Sequence, residues 1–194
     1  MTLTDDEILA RVEGQTVPTA FMATVAAYGD HVALRSMAGD GWRPLTFNQY
    51  AEQVATAAAG LRAVGVGKGD RVVIMMRNIP EFHIVDLATT FLGATPISIY
   101  NSSSPDQVAY LVGDCAAKVA VVEGEGFASR FRAVRDQLPA LESLVMLNDA
   151  DADAVAWDAF MAHDPLDLTV EVNNASPEDL ATVMDIDVKD FQKK

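Results

Sequence analysis

The sequence is poor in cysteine and in basic residues, and both shortages narrow its chemistry. Cys115 is the one cysteine in 194 residues, which excludes an internal disulfide and a metal site built from several cysteines. Its neighbours Gly113, Asp114 and Ala116 carry no cation that would activate the thiol, so we expect a bystander and not a nucleophile. Basic residues number 14 and acidic ones 28, a net charge of −14 that repels phosphate backbones. Nucleic acid is therefore not an expected partner.

Long apolar runs are also missing. No stretch approaches the roughly 20 residues that a membrane span requires, and residues 1–13 are acidic and helical in pattern, unlike a signal peptide. We therefore expect no transmembrane segment and a cytoplasmic location. Apolar residues make up 50% of the chain and charged ones 22%, the balance typical of a folded globular domain.

Familiar catalytic patterns are equally scarce. The chain has no Gly-x-Ser-x-Gly elbow, and its three histidines, His31, His83 and His163, are far apart in sequence. The glycines of the loop 65–70 follow a helix and precede a strand, whereas a phosphate cradle runs from a strand into a helix. We therefore interpret that loop as a helix stop and turn, and we predict neither catalytic residues nor a metal site.

What the sequence does contain is a strand, a helix and a second strand between Arg71 and Pro105. Residues 71–76 are apolar and of strand length, residues 80–91 carry apolar side chains at helical spacing, and residues 94–100 are extended again. Such a crossover joins two parallel strands with a right-handed connection and requires a sheet covered by helices. The sequence thus predicts an α/β fold with a mostly parallel sheet and helices on both faces.

The alternation of helix and strand continues on both sides of this unit. We predict a hairpin over residues 31–45, and a capping box at Thr46 and Gln49 that begins a long helix. The other predicted elements are strands at 118–122, 143–147 and 180–184, and helices at 5–15, 17–27, 105–112, 127–137 and 154–161. One α/β unit should span residues 1–183, followed by a charged tail at 184–194.

The best candidate for a ligand site is the loop after the second strand of the central unit. Tyr100, Asn101, Ser102, Ser103 and Ser104 place an aromatic ring, an amide and three hydroxyls at the carboxyl end of a parallel strand, where ligands bind in such sheets. Ser104 also caps the next helix, whose free amides favour an anion. On local sequence alone, a simple capped turn is the alternative interpretation.

Short motifs along the chain resemble, in order, those of the AMP-forming acyl-CoA synthetases. The motifs are Leu45-Thr46-Phe47-Asn48-Gln49-Tyr50, Gly67-x-Gly69-Asp70-Arg71-Val72, Asn78-x-Pro80-Glu81-Phe82, Leu92-Gly93-Ala94 with Pro96, Ser104-Pro105-Asp106-Gln107, and Pro177-Glu178-Asp179-Leu180-Ala181-Thr182-Val183. The resemblance spans nearly the whole chain, from Thr16 to Val183. Ile99-Tyr100-Asn101-Ser102 is similar to the long-chain fatty-acid branch of the family.

The resemblance implies the N-terminal part of a fatty-acid–CoA ligase. In that family, fatty acid and ATP with magnesium give an acyl-adenylate and pyrophosphate, and coenzyme A then displaces AMP. The family's phosphate loop, T-S-G-T-T-G-x-P-K-G, would begin after Val183, where this sequence has Met184-Asp185-Ile186-Asp187. The glycines that wrap a triphosphate and the lysine that neutralises it are missing there. ATP, magnesium and coenzyme A are therefore cofactors of the parent enzyme, and we expect the chain alone to be inactive.

The resemblance also implies candidate contacts to coenzyme A. Some family members contact the coenzyme's nucleotide from the loop aligned with Tyr100, Asn101 and Ser102, and from arginines on the helix near Arg130 and Arg132. The tyrosine would stack on adenine, and the arginines would meet phosphate. Helix-surface cations are the alternative interpretation of both arginines.

Two other hypotheses stay open at this point. The chain could be a stand-alone module that binds coenzyme A or another nucleotide at Tyr100 to Ser104. It could instead be a structural or dimerisation domain, because a sheet without its neighbours exposes an edge that pairs with other strands. In either case, fatty acid and ATP would be substrates only of the complete parent enzyme.

Overall fold

A five-stranded parallel sheet organises the part of the chain that the computed structural model describes, residues 4–183. The strands in chain order are β1 (Val32–Ala38), β2 (Gly41–Thr46), β3 (Arg71–Met75), β4 (Thr95–Ser98), β5 (Val119–Val122), β6 (Ser143–Met146) and β7 (Val155–Ala156). The first two form a separate antiparallel hairpin, and the other five are ordered β4-β3-β5-β6-β7. The predicted charged tail, 184–194, lies outside the described residues.

The helices fill the connections between the strands. They are α1 (Asp5–Val12), α2 (Val17–Tyr28), α3 (Phe47–Ala63), α4 (Pro80–Phe91), α5 (Pro105–Asp114), α6 (Glu125–Arg132), α7 (Trp157–Phe160) and α8 (Leu168–Glu171). The Thr46 and Ser104 hydroxyls each accept a bond of 3.3 Å from the amide three residues later, so both predicted helix starts are confirmed. Within residues 4–183, no helix is both long and apolar enough to cross a membrane.

Alternate residues of β3 enter two separate hydrophobic cores. Val72 and Ile74 pack on the face covered by α3 and α4, together with the fully buried Phe91. Val73 and Met75 pack on the opposite face with Phe131 of α6. This period-two division buries the strand on both sides, as expected for a parallel sheet. The predicted α/β fold with helices on both faces is therefore confirmed.

The strand order reverses direction at β3. The chain passes from β3 to β4 on one side, then returns to place β5 on the other side, where Val72 pairs with Val119. Connections that leave in opposite directions open a crevice at the carboxyl ends of the two strands, here β3 and β5. The usual ligand position of such a sheet thus lies between β3 and β5, one strand away from the loop chosen from sequence.

Three of the predicted helices differ from the structure, and the first of them, predicted over 5–15, ends at Val12. In the segment 154–161, Val155–Ala156 joins the sheet as β7 beside Val145, and only Trp157–Phe160 is helical. In the segment 127–137, the helix begins at Glu125 and ends at Arg132, and a short 3-10 helix covers Arg135–Gln137. The helix α8, which follows, was not predicted at all. Each difference lies in a short element whose conformation depends on tertiary contacts more than on local propensity.

The predicted final strand is reduced to a single parallel bridge between Val183 and Ile97, and Met184 lies outside the described residues. Side chains reinforce this contact: the Thr95 hydroxyl donates to the Leu180 carbonyl at 2.8 Å, and the Thr182 hydroxyl donates to the Pro96 carbonyl at 3.2 Å. The outer edge of β4 is therefore partly covered by the segment 180–183 of the same chain.

Candidate functional site

The predicted ligand loop lies at the carboxyl end of β4 and leads into α5. The Ser103 amide donates to the Tyr100 carbonyl at 3.0 Å, which closes a turn. The Tyr100 side chain is 75% exposed, and Asn101 and Ser102 are exposed as well, whereas Ser103 is buried. The sequence-predicted aromatic ring and amide therefore face solvent and are free to meet a ligand.

Arg130 is the one predicted arginine that reaches this loop. Its Nη1 donates to the carbonyl oxygens of Asn101 and Ser103, the latter at 3.0 Å. Its guanidinium also lies over the Phe127 ring, 5.4 Å from the ring centroid. The structure thus brings Arg130 together with the predicted loop residues, and the side chain holds the turn in place across 29 residues of sequence.

Arg132, the second predicted arginine, is engaged elsewhere. It pairs with Glu125 and with Asp151, the latter at 2.9 Å, and its Nη2 lies 3.5 Å from the Met146 sulfur. The hydrogen bond to Glu125 raises the pKa of its guanidinium, as expected for an ion pair at the protein surface. The structure therefore places Arg132 in ion pairs with Glu125 and Asp151 and not at the predicted loop.

Replacing Arg130 with methionine should loosen the loop. The substitution removes two hydrogen bonds from a partly exposed charged donor to the carbonyls of Asn101 and Ser103. We expect the amides of residues 100–104 to exchange with deuterium about tenfold faster, and the free energy of unfolding to fall by no more than the ~1.4 kcal/mol that a tenfold change represents. Arg135→Met is the matched control, because Arg135 donates only to the nearby Leu138 carbonyl. Equal exchange in both variants would show that Arg130 does not brace the loop.

A second polar group, missed from sequence, occupies the crevice between β3 and β5. Glu123 is only 6% exposed and accepts hydrogen bonds from the Arg77 amide at 3.0 Å and from the Arg77 Nε at 2.8 Å, as well as from Nη2. The Glu123 carbonyl accepts from the amide and the side-chain nitrogen of Asn148, both at 3.0 Å. This arrangement ties the ends of β3, β5 and β6 together.

The ion pair fixes the charge state of both partners. Hydrogen bonding from Arg77 holds the pKa of the Glu123 carboxyl below its usual range, although burial acts in the opposite direction. Glu123 is therefore a stable anion near neutral pH and is poorly suited to proton transfer. The Arg77 side chain is 72% exposed, so its outer surface stays accessible from the crevice.

A sequence signal for this pair existed but was ambiguous. Glu123 directly follows the apolar strand β5. Arg77 follows the apolar strand β3 after one intervening residue. Charged residues at two strand ends meet only when the strands are neighbours, and the sequence does not reveal that β5 lies beside β3. The pairing was therefore beyond the reach of local patterns.

Comparison with known proteins places this fold in a family. The family described as AMP-binding enzyme matches residues 21–184. A long-chain-fatty-acid–CoA ligase of Xenopus laevis, ACSBG2, is 32% identical over 161 residues, which are 81% of this chain and 22% of that protein. The ligase FadD15 of Mycobacterium bovis is 30% identical over 157 residues, 80% of this chain and 26% of that protein.

Solved structures with the same fold include two further ligases. The anthranilate CoA ligase AuaEII, in complex with anthranoyl-AMP, has a TM-score of 0.73 and 22% identity, covering 85% of this chain and 30% of that one. A putative long-chain-fatty-acid CoA ligase from Rhodopseudomonas palustris has a TM-score of 0.71 and 23% identity, covering 80% of this chain and 38% of that one. At these identities the likeness concerns the fold alone.

The chain spans only a minor part of these relatives, 22% of the Xenopus protein and 26% of FadD15. An uncharacterized protein of Mycobacterium tuberculosis is 37% identical over 118 residues, which are 61% of this chain and 66% of that protein. The match at residues 21–184 covers most of the sequence and both central strands of the sheet. The chain therefore belongs to the AMP-binding enzyme family.

Proposed function

We propose that this chain is the N-terminal α/β part of a long-chain fatty-acid–CoA ligase. The observation that carries the proposal is asymmetric coverage: 81% of the chain matches the Xenopus ligase, but only 22% of that ligase is matched. The complete enzyme would use ATP with magnesium to convert a fatty acid into its acyl-adenylate, and coenzyme A would then displace AMP. Within that enzyme this chain supplies a scaffold and one side of a binding site.

The proposed role of the loop is to contact the nucleotide of coenzyme A. Tyr100 presents an exposed ring that can stack on adenine, and Asn101 and Ser102 offer exposed polar groups beside it. Arg130 holds the loop through Nη1, and its remaining guanidinium nitrogens can meet a phosphate. Arg132 has no part in this proposal because Glu125 and Asp151 engage its charge.

By itself the chain should not form an acyl-adenylate. The sequence contains no stretch like T-S-G-T-T-G, so the backbone amides and hydroxyls that would hold a triphosphate are not supplied by this polypeptide. A cytoplasmic location is part of the proposal, and the single cysteine is in keeping with a reducing compartment. Self-association through the sheet has less support, because the segment 180–183 covers part of the β4 edge.

A chimeric enzyme tests the proposal. Residues 21–183 would replace the aligned segment of the M. bovis ligase FadD15, and acyl-CoA formation and pyrophosphate release would be measured for the chimera and for this chain alone. We expect fatty-acid-dependent activity in the chimera and none in the isolated chain. A well-folded chimera that lacks activity would contradict the ligase assignment, and pyrophosphate release by the isolated chain would contradict its expected inactivity.

Variants of the chimera separate the coenzyme contact from general damage. Tyr100→Ala should raise the KM for coenzyme A about tenfold, the effect of losing one stacking contact, and should leave the KM for ATP unchanged. Tyr110→Ala is the matched control, because Tyr110 is similarly exposed, 68%, but lies on α5 away from the loop. Equal KM values for coenzyme A in the two variants would remove Tyr100 from the proposed contact.

A further inference from the structure

An open groove of about 540 Å³ lies beside the carboxyl end of β3, between the hairpin and the first turn of α4. The residues on its walls include Arg35, Met37, Trp42, Arg77, Ile79 and His83. The hairpin wall is apolar and open to solvent: Trp42 is 66% exposed, Met37 is 62% exposed, and the two are direct partners across the antiparallel pair. Large apolar side chains that lie together on a surface mark a place that another protein segment covers.

The groove is also free of acidic side chains, in a chain whose net charge is −14. Arg77 is neutralised by its ion pair with Glu123. Arg35 is exposed and forms no salt bridge with any residue in the described range 4–183. The groove therefore presents a positive charge beside an apolar wall, a combination that favours an acidic, amphipathic segment as its partner.

The helix α1 carries the complementary surface. Asp5, Ile8 and Val12 are spaced i, i+3 and i+7, so a carboxylate and two apolar side chains share one face of the helix. Every side chain of α1 whose burial the structure describes is exposed, Ile8 by 46% and Val12 by 52%. A helix of eight residues is too short to be stable in water by itself and depends on the packing of its apolar face. A stable α1 therefore requires a surface that covers this face.

The course of the chain directs α1 to the groove of another molecule. Residues 13–16 join α1 to α2, and residues 15–18 line a small cavity together with Gly93 and Ser176, near the amino end of β4. Because β3 runs parallel to β4, the groove at the carboxyl end of β3 lies at the opposite end of the sheet. Docking within one chain would require the four-residue connection to turn α1 back along the sheet. A second copy meets no such constraint.

We propose that the groove binds α1 of a second copy of this chain, and that two copies exchange these helices reciprocally in a dimer. Asp5 meets Arg35 across the contact, and the apolar side chains of α1 pack against Trp42 and Met37. Reciprocal exchange makes the contact twice and closes the assembly, so no helix or groove is left to recruit a third copy. The inference goes beyond the ligase proposal, because it concerns assembly and requires no nucleotide, fatty acid or coenzyme A.

A charge exchange in the complete chain tests the pairing by analytical ultracentrifugation. We expect the native chain to dimerise with a dissociation constant on the order of 10 µM, as for a small interface. Arg35→Asp and Asp5→Arg should each weaken dimerisation at least about tenfold, because each brings like charges together. An equimolar mixture of the two variants should dimerise as strongly as the native chain, because the heterodimer contains one native contact and one contact with the charges exchanged. Arg43→Asp is the matched control, since Arg43 lies on the same hairpin but does not line the groove.

Fluorine NMR of the chain labelled with fluorotryptophan locates the contact. The sequence has two tryptophans, and Trp157 stacks on Phe160 outside the groove, with the ring centroids 5.2 Å apart. We expect the Trp42 resonance to move with chain concentration in step with the dimer fraction, while the Trp157 resonance stays constant. Val12→Ser should abolish this movement, whereas Val170→Ser, a change at another exposed valine, should leave it intact.

Several outcomes would overturn the proposal. These are a monomer at every concentration up to about 1 mM, equal dimerisation by Arg35→Asp and Arg43→Asp, a mixture of the two charge variants that stays monomeric, or a dimer in which the Trp42 resonance does not move. A monomer whose Trp42 resonance changes in Val12→Ser would place α1 in the groove of its own chain. A dimer that Val12→Ser leaves intact would place the interface elsewhere, for example at the sheet edge.

Discussion

Replacing Gly60 with alanine is expected to destabilise the protein by about 2 kcal/mol, although the same change in most helices is stabilising. Gly60 lies buried in α3, and a methyl group there would overlap the carbonyl oxygen of Phe160 and lie 3.0 Å from its ring. Overpacking of this kind costs roughly 1–3 kcal/mol and occasionally more. The gain in helix propensity, about 1 kcal/mol, offsets only part of it.

The measurement is urea and thermal denaturation of the variant beside a matched control. Gly113→Ala, in α5, would place its methyl group 3.9 Å from the Gln137 carbonyl, an ordinary contact, so we expect no loss of stability there. For Gly60→Ala the melting temperature should fall by roughly 4–8 °C with little change in m-value. If both variants were equally stable, α3 and α7 would not pack as closely as the structure shows.

Replacing Arg77 with methionine should lower the free energy of unfolding measurably at neutral pH. The change removes the guanidinium that bonds to the buried carboxylate of Glu123 and leaves that charge with only the residue 77 amide as a partner. The cost is moderate because Arg77 itself is largely exposed, so the arginine loses little packing. Chemical denaturation at several pH values checks the expectation.

The pKa of Glu123 determines how the stability difference between the native chain and Arg77→Met changes with pH. In the native chain the pKa of Glu123 is lowered by Arg77, so the pair's contribution is full above the unfolded pKa of about 4.3 and is lost as pH falls through the folded value. In Arg77→Met the Glu123 carboxyl keeps only the residue 77 amide as a partner, so its pKa should rise, and protonation should then relieve the cost of burying the charge. The stability difference between the two proteins should therefore be largest near neutral pH and shrink by more than half toward pH ~4.

A double-mutant cycle separates the ion pair from other effects of the substitution. Glu123→Gln removes the buried charge, so Arg77→Met in that background should cost well under half of what it costs in the native chain. Equal costs in the two backgrounds, or a cost that does not vary with pH, would mean that the pair is not the source of the stability.

Local patterns predicted the fold class because they report on single elements. The apolar run at 71–76, the proline at Pro80 and the capping boxes at Thr46 and Ser104 act over three or four residues, and the structure contains all of them. The patterns failed at β7 and α8, two elements of two and four residues near the end of the described chain. At β7, Val155 extends next to Val145 because a strand edge is available there, a condition that no local pattern contains.

In the candidate site, too, the local structure was predicted from sequence and the tertiary contacts were not. The predicted loop Tyr100 to Ser104 lies at a strand end and caps a helix, as local chemistry required. The sequence did not show which arginine contacts this loop. Arg130 and Arg132 lie two residues apart on one helix, so their side chains point in different directions. Only the packing of α6 beside the loop decided that Arg130 contacts Asn101, while Arg132 turns to Glu125 and Asp151.

The sequence by itself thus determined that this chain is an α/β protein of alternating strands and helices, with a polar turn after β4 and a family resemblance along nearly its whole length. The tertiary structure decided which strands are neighbours, and with them the pairing of Arg77 with Glu123 across 46 residues and the groove between the hairpin and α4. The physical reason is the separation along the sequence over which each kind of interaction acts. Caps and periodicity depend on hydrogen bonds and apolar contacts within one element, whereas strand order depends on how distant apolar faces pack into a common core.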